Sequence, residues 1–84
     1  MIKIDFTTKP KEIEHKYVVD QYGNKCLYNE NKLYHSYDDL PSVIWPDATK
    51  FWHKHGQRHR ENGLPAIVNP NGSEQYWENG KRIK

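Results

Sequence analysis

The largest group of chemically capable side chains is a basic, histidine-rich cluster in the middle of the chain. From Lys50 to Arg60 the sequence carries four fixed positive charges and three histidines, and no acid. A second group of cations follows at Lys81, Arg82 and Lys84. Side chains of this kind attract a phosphate backbone or an acidic protein surface, and arginine can hold either one with two parallel hydrogen bonds. The cluster therefore predicts a binding surface.

A metal site is the first alternative for this cluster, because histidine is a common metal ligand. If residues 51–55 continue one strand, His53 and His55 point to the same side, and His59 could supply a third ligand. The surrounding positive charge opposes a cation, however, and Glu61 is the only carboxylate close in sequence. We therefore predict no metal and no other cofactor, and a small metal-dependent nuclease is the least favoured function.

A nucleophilic mechanism through Cys26 and His35 is not supported by their neighbours. Nothing near Cys26 would favour its thiolate, and a lone cysteine in a strand usually behaves as a small hydrophobic residue. We therefore predict that the protein is not an enzyme and has no catalytic residue. A single cysteine cannot form an internal disulfide, which predicts a reducing, cytoplasmic location.

The elements that position these residues are predicted to be short strands around a thin core. The chain has 84 residues, of which 35% are hydrophobic, yet it contains three Trp, six Tyr and two Phe. Such a wealth of aromatic residues argues against disorder, and the length is sufficient for one domain. No apolar run approaches the roughly 20 residues needed to cross a bilayer, so we expect no membrane partner.

Internal similarity at an offset of 24 residues organises the chain. Leu40-Pro41 matches Leu64-Pro65, and Gly56 matches Gly80. The same offset aligns three further sets of residues: Tyr28 with Trp52 and Tyr76, Arg58 with Arg82, and Arg60 with Lys84. Units that cannot bury a face alone must stack on their neighbours, so we expect aligned residues to lie side by side.

Each unit contains short strands separated by turn residues. Asn71-Gly72 and Asn79-Gly80 are hairpin signals because both residue types tolerate positive φ. We predict a mainly β fold, an antiparallel β-meander of hairpin repeats with about three 24-residue units and no helix beyond one turn at residues 9–15. The predicted single domain, 1–84, comprises an N-terminal strand and connector (1–15), a degenerate repeat (16–39), a repeat (40–63) and a truncated repeat (64–84).

Stacking of the units has one consequence for the aromatic residues and one for the cations. Tyr28, Trp52 and Tyr76 are expected to form a ladder that is mainly core, with base stacking as the alternative. Leu33, Val43, Phe51, Ile67 and Trp77 are expected near it. The aligned arginines would bring like charges together, which costs stability unless an anion or an acidic side chain intervenes. The competing interpretation is a solvated face with Glu61, Glu74 and Glu78 as local partners.

The second half of the chain resembles a known repeat family. Residues 52–66 read W-x-x-x-G-x-x-H-R-x-x-G-L-P-A, and residues 71–81 read N-G-x-x-x-Y-W-x-N-G-K. This pattern is similar to the MORN-type repeat, especially the variant G-x-x-HR-x-x-G-x-PA common in bacteriophage and bacterial proteins. The resemblance covers residues 40–84 well and 16–39 poorly, because Lys32 replaces the glycine and Ser36 the arginine of the motif.

This resemblance implies an interaction module, since no catalytic residues come with the repeat. In size and in its wealth of Lys, Asn, Ile and Tyr the chain also resembles accessory proteins of T-even-like phages, which often disable a host factor, a toxin or a defence component. If the protein is encoded by a phage, the expected location is the host cytoplasm.

The expected function is therefore a non-enzymatic, antitoxin-like inhibitor that occludes a host, toxin or defence protein. The alternative is RNA or DNA binding through the same face, with Tyr and Trp rings stacking on bases. Open sheet edges also predict a homodimer. The residues expected to contact the partner are Trp52, His53, Lys54, His55, Arg58, His59, Arg60, Lys81, Arg82 and Lys84.

Overall fold

The structure, a computed structural model, describes residues 16–84. The N-terminal strand and connector predicted for residues 1–15, with their helical turn, lie outside the described residues. The described residues form an all-β fold without a helix, and hence without a helix able to cross a bilayer. Their strands are β1 (Val18–Val19), β2 (Lys25–Cys26), β3 (Val43–Ile44), β4 (Lys50–Phe51), β5 (His53–Lys54), β6 (Gln57–Arg58), β7 (Ile67–Val68), β8 (Glu74–Gln75), β9 (Trp77–Glu78) and β10 (Lys81–Arg82).

Six of these strands form one antiparallel sheet in the order β1-β2-β3-β4-β7-β8. The strands β5 and β6 form a separate antiparallel hairpin, as do β9 and β10. The predicted mainly β fold and its antiparallel hairpins are therefore confirmed.

One row of side chains across the six-stranded sheet forms the core. The register places Cys26 opposite Val43, Val43 opposite Phe51, and Phe51 opposite Ile67. All four are buried, and Tyr34 and Trp77 pack against them. Val43, Phe51, Ile67 and Trp77 thus lie in or against the core as expected, whereas Leu33 is 44% exposed.

The hairpins of the six-stranded sheet share one turn geometry. Gly23, Ala48 and Gly72 each have positive φ, at +86°, +79° and +90° respectively. In each turn the N–H of this residue donates to the carbonyl of the residue three positions earlier, at 2.9–3.1 Å. Glycine adopts this backbone conformation readily, but a side chain makes it costly. Ala48 is therefore the strained member of the set.

The shorter hairpins also lie next to one another. The Gly56 N–H donates to the Tyr34 carbonyl at 2.8 Å, and the Gly80 N–H donates to the Arg58 carbonyl at 2.9 Å. An isolated bridge between Tyr28 and Tyr34 precedes them. A second row of hairpins therefore flanks the six-stranded sheet, and in this row β6 adjoins β9.

The expected ladder of Tyr28, Trp52 and Tyr76 does not form. The N–H groups of Leu27 and Trp52 make equivalent bonds to the next hairpin, both at 2.8 Å, so Leu27 takes the main-chain place assigned to Tyr28. The bridge from Tyr28 to Tyr34 encloses one residue more than the pair His53 and Arg58, which shifts the first alignment by one position. Tyr28 is 38% exposed and stacks on Tyr34, with ring centroids 5.4 Å apart.

Trp52 and Tyr76 are also not direct neighbours. Trp52 follows β4 and Tyr76 follows β8, and β7 lies between these two strands in the sheet. The expected side-by-side arrangement is wrong at this point because the return strand of a hairpin separates equivalent strands.

Candidate functional site

The predicted basic face divides into two parts, a central cleft and a basic edge. The central cleft has a volume of about 300 Å³ and is lined by His35, Ser36, Asp39, Trp52, His53, Lys54, His59, Arg60, Glu61 and Asn62. The basic edge consists of Arg58, Lys81, Arg82 and Lys84 together with the rings of Tyr76 and Trp77. The two parts differ in whether their cations have acidic partners.

Arg60 holds the wall of the central cleft together. Its Cζ lies 3.7 Å from the centroid of the Trp52 ring, and its Nε and Nη2 donate to the two carboxylate oxygens of Asp39 at 3.0 and 3.1 Å. Its Nη1 donates to the Pro65 carbonyl at 3.1 Å. The indole N–H of Trp52 donates to the Asp39 carbonyl at 2.9 Å. Arg60 and Trp52, predicted to contact a partner, therefore bind residues of their own chain.

The remaining charges of the central cleft also have local partners. The Glu61 Oε2 lies 2.8 Å from His59 Nε2 and 3.6 Å from Lys54 Nζ. The hydrogen bond from His59, with the positive charges of His59 and Lys54, lowers the pKa of Glu61. With Asp39 paired to Arg60, the cleft contains two lysine or arginine cations and two carboxylates. The cleft is therefore not an anion site.

His53 is a buried histidine in its neutral form. Its Nδ1 lies 2.6 Å from Ser42 Oγ, which in turn lies 3.1 Å from the Phe51 carbonyl oxygen. A hydroxyl has one hydrogen, so both contacts are hydrogen bonds when Ser42 donates to Phe51 and His53 donates to Ser42. Burial, with a contribution from the charge of Arg58, lowers the pKa of His53 to about 4.

The three histidines considered as metal ligands have separate partners. His55 lies in a turn with φ of +50°, and Trp52 separates β4 from β5, so residues 51–55 do not form the continuous strand that the metal alternative requires. The His55 ring packs on that of His35, with centroids 4.5 Å apart, whereas His59 Nδ1 accepts the Asn79 N–H at 3.0 Å. Residues 16–84 contain no group of three or more His, Cys, Asp or Glu able to hold a metal ion.

Cys26 and His35 likewise face different partners. The thiol is fully buried, and its Sγ lies 3.9 Å from Asp20 Oδ2. Burial raises the pKa of this thiol, which disfavours the reactive thiolate. The Nδ1 of His35 accepts the N–H of His55 at 3.0 Å. The pair therefore has none of the geometry of an activated nucleophile.

The basic edge retains its positive charge. The Arg58 guanidinium lies over the Trp77 ring, 4.8 Å from its centroid, and the Lys84 ammonium lies 5.3 Å from the Tyr76 centroid. Arg82 faces Trp77 across the β9–β10 hairpin, and Lys81 faces Glu78. Among the described residues, no Asp or Glu side chain lies within ion-pair distance of any of these four cations, and the Arg82 Nε donates to the Lys84 main-chain oxygen at 3.1 Å.

Arg58 and Arg82 are not immediate neighbours, contrary to expectation. The Gly80 N–H joins the hairpin of Trp77 to Arg58, and β9 separates β6 from β10. Trp77 therefore lies between the two arginines in strand order, and this separation lowers the repulsion between their like charges. The electron-rich face of the ring stabilises the nearer guanidinium directly.

No family model, no curated protein sequence and no solved structure matches this chain. Its function must therefore be argued from the charges and contacts of its own side chains.

Proposed function

We propose that the protein is a non-enzymatic binding module that captures an acidic partner protein on its basic edge and thereby inhibits it. The observation that carries this proposal is the contrast in charge compensation between the two parts of the basic face. Lys54, Arg60 and His59 pair with Asp or Glu side chains, whereas Arg58, Lys81, Arg82 and Lys84 pair with none among residues 16–84, and the Arg82 Nε donates only to the Lys84 main-chain oxygen. Uncompensated cations on a protein surface favour an anionic partner.

The scaffold of this module is proposed to be a MORN-like array of about three 24-residue units. Main-chain bonds that recur at this spacing support the proposal: the Gly56 and Gly80 N–H groups donate to the carbonyls of Tyr34 and Arg58. Two imidazole acceptors recur at the same spacing. His35 Nδ1 accepts the N–H of His55, and His59 Nδ1 accepts the N–H of Asn79. Each bond ties one hairpin to the turn of the next.

The contact between Arg58 and Trp77 supports a carboxylate-bearing partner. A guanidinium held over an aromatic ring can still use its N–H groups to form a pair of hydrogen bonds with one carboxylate. Because the Trp77 ring already holds the Arg58 guanidinium, less side-chain entropy is lost when the partner binds.

The resemblance to phage accessory proteins favours a particular class of partner. On this proposal the protein acts in the host cytoplasm and occludes a host factor, a toxin or a defence protein, without a cofactor. An acidic surface on that partner is the feature the basic edge would recognise.

Binding of RNA or DNA is a second candidate, favoured by the same uncompensated cations. The rings of Trp77 and Tyr76 already carry Arg58 and Lys84 on a face, which leaves less ring surface for stacking on bases. Salt separates the two candidates. Phosphate-dominated binding should weaken by about a thousandfold between 50 and 200 mM salt for six contacts, and an aromatic-centred protein interface far less.

A capture experiment from bacterial lysate, with and without nuclease, tests the proposal. We expect a protein partner that survives nuclease treatment and is lost in the double variant Arg58→Glu/Arg82→Glu. The matched control is Lys25→Glu/Lys50→Glu, which makes the same change in net charge at exposed positions of the six-stranded sheet. Equal capture by both double variants would show that the basic edge is not the binding surface.

A further inference from the structure

The main-chain carbonyl of Arg82 in β10 corresponds to two carbonyls that pair with a neighbouring hairpin, those of Tyr34 and Arg58. The carbonyls of Tyr34 and Arg58 each accept an N–H from the neighbouring hairpin, at 2.8 and 2.9 Å. Arg82 faces Trp77 as Arg58 faces His53, so its carbonyl has the same outward direction. Within residues 16–84 the Arg82 carbonyl accepts no hydrogen bond. The outer side of β10 is therefore an open sheet edge.

Within the last hairpin of the second row, the opening lies at β10. At the inner positions the N–H groups of Leu27 and Trp52 donate to the next hairpin. The equivalent N–H of Tyr76 instead donates to the Lys84 carbonyl at 3.0 Å, so this position is already occupied. A segment could therefore pair with β10 without breaking a hydrogen bond seen in the structure.

We propose that the partner adds an extended acidic segment as an antiparallel strand beside β10. A residue directly opposite Arg82 would donate its N–H to the Arg82 carbonyl, and its carboxylate would lie next to the Arg82 side chain. Because side chains alternate along a strand, a second acid two residues away would reach the level of Lys84. This inference rests on the proposed function and supplies its mode of recognition, a strand with acids at alternate positions.

A second copy of the chain is a poor occupant of this edge. Two copies of β10 paired by a twofold axis would bring Lys81, Arg82 and Lys84 close to the same three residues of the other copy. Like charges directly across a strand pair are destabilising, and no Asp or Glu side chain among the described residues compensates these cations. An acidic strand removes this repulsion. A nucleic acid has no peptide N–H to offer the Arg82 carbonyl.

Three peptides test the inference with the 84-residue chain. The probe is an eight-residue peptide of alternating Glu and Val with blocked ends, and the other two carry N-methyl groups on every Glu or on every Val. The N–H of the residue opposite Arg82 belongs to a Glu, so Glu methylation should weaken binding about tenfold or more. Val N–H groups face away from β10, so Val methylation should change affinity by less than about threefold. Calorimetric titration gives the dissociation constants.

Each outcome decides the inference. Equal affinity of the three peptides would overturn strand addition while leaving capture of acidic surfaces intact, since the parent peptide would still bind. No binding by the parent peptide would also overturn it, and the lysate capture would then judge the proposed function separately. Sedimentation measures whether the wild-type chain forms a concentration-dependent dimer. If Arg82→Glu strengthens or abolishes this dimer and Lys25→Glu does not, the edge is occupied by a second copy of the chain and the inference is refuted.

Discussion

Two arginines only two positions apart have different environments, and their contributions to stability should differ accordingly. Arg60 is 15% exposed and donates hydrogen bonds to Asp39 and Pro65, whereas Arg58 is exposed and contacts the Trp77 ring. We expect Arg60→Ala to lower the free energy of unfolding by about 1–3 kcal/mol, because charge-assisted hydrogen bonds and packing on Trp52 are lost.

The matched variant Arg58→Ala should cost less than about 1 kcal/mol, the value of an exposed cation–π contact. Urea denaturation of both variants measures the difference. A smaller loss in Arg60→Ala than in Arg58→Ala would contradict the structural role assigned to Arg60.

The buried imidazole of His53 makes stability depend on pH. Its pKa of about 4 in the folded chain lies below the ordinary value of 6.5, so below pH 6.5 the unfolded chain binds the proton more readily. The stabilisation is complete above pH 6.5 and is lost as the pH falls from 6.5 towards 4, with a slope of at most about 1.4 kcal/mol per pH unit. Urea denaturation at intervals between pH 7 and 4 measures this slope.

The variant His53→Phe isolates this effect, because it keeps an aromatic ring beside Tyr34 and Phe51 but cannot titrate. Its slope should be shallower, although not zero. Burial and the charge of His55 also lower the pKa of His35, which acts in the same direction. An unchanged slope would mean that His53 does not carry the pH dependence.

The sequence indicated which cations exist but not which of them are neutralised. Glu61 was foreseeable as a local partner because it lies close in sequence to His59 and Lys54, with which it pairs. Asp39 was not, since it lies 21 residues before Arg60 and only the fold brings their side chains together. For the same reason the burial of His53, which lies between Trp52 and Lys54, could not be read from the sequence.

At the scale of the elements, Ala48 and Gly72 provide a reciprocal test of turn geometry. Both have positive φ at the same place in equivalent turns, and a Cβ on Gly72 would have no heavy atom within 4 Å. We expect Ala48→Gly to raise the free energy of unfolding by about 0.5–1 kcal/mol, and Gly72→Ala to lower it by about 1 kcal/mol. Thermal or urea unfolding of the two variants measures these shifts.

The test depends on whether the two variants change the free energy of unfolding in opposite directions. A destabilised Ala48→Gly variant would show that the Ala48 methyl group contributes packing that outweighs the strain of its backbone.

Turn residues made the hairpins predictable, whereas strand boundaries were less so. Asn-Gly sequences located the turns at 71–72 and 79–80, although both residues have positive φ only at Asn79-Gly80, and the first turn has it at Gly72 alone. The position of residues 73–77 between two turns predicts one strand, but the structure has β8 and β9 on either side of Tyr76. Local propensity does not reveal such an interruption, because it comes from packing of the two rows of hairpins.

At the scale of the molecule, residues that match at the 24-residue offset are not direct neighbours. Strands alternate in direction in an antiparallel array, so each return strand lies between two equivalent strands. Hence β7 lies between the strands leading to Trp52 and Tyr76, and β9 lies between Arg58 and Arg82. The additional residue enclosed between Tyr28 and Tyr34 moves Leu27 into the place expected for Tyr28, and only the hydrogen bonds reveal this shift.

Because the Cys26 thiol is fully buried, its rate of reaction with a thiol reagent reports how often the folded chain opens. A thiol reagent cannot reach Sγ until the strands around it separate, so the labelling rate measures how often the core opens. We expect the labelling rate to be at least about a thousandfold lower than in the urea-unfolded chain. The absorbance of the chromophore that the thiol reagent releases measures this rate. The rate should fall in Ala48→Gly and stay constant in Arg58→Glu/Arg82→Glu; labelling at the unfolded rate would mean that the first hairpin opens independently of the rest.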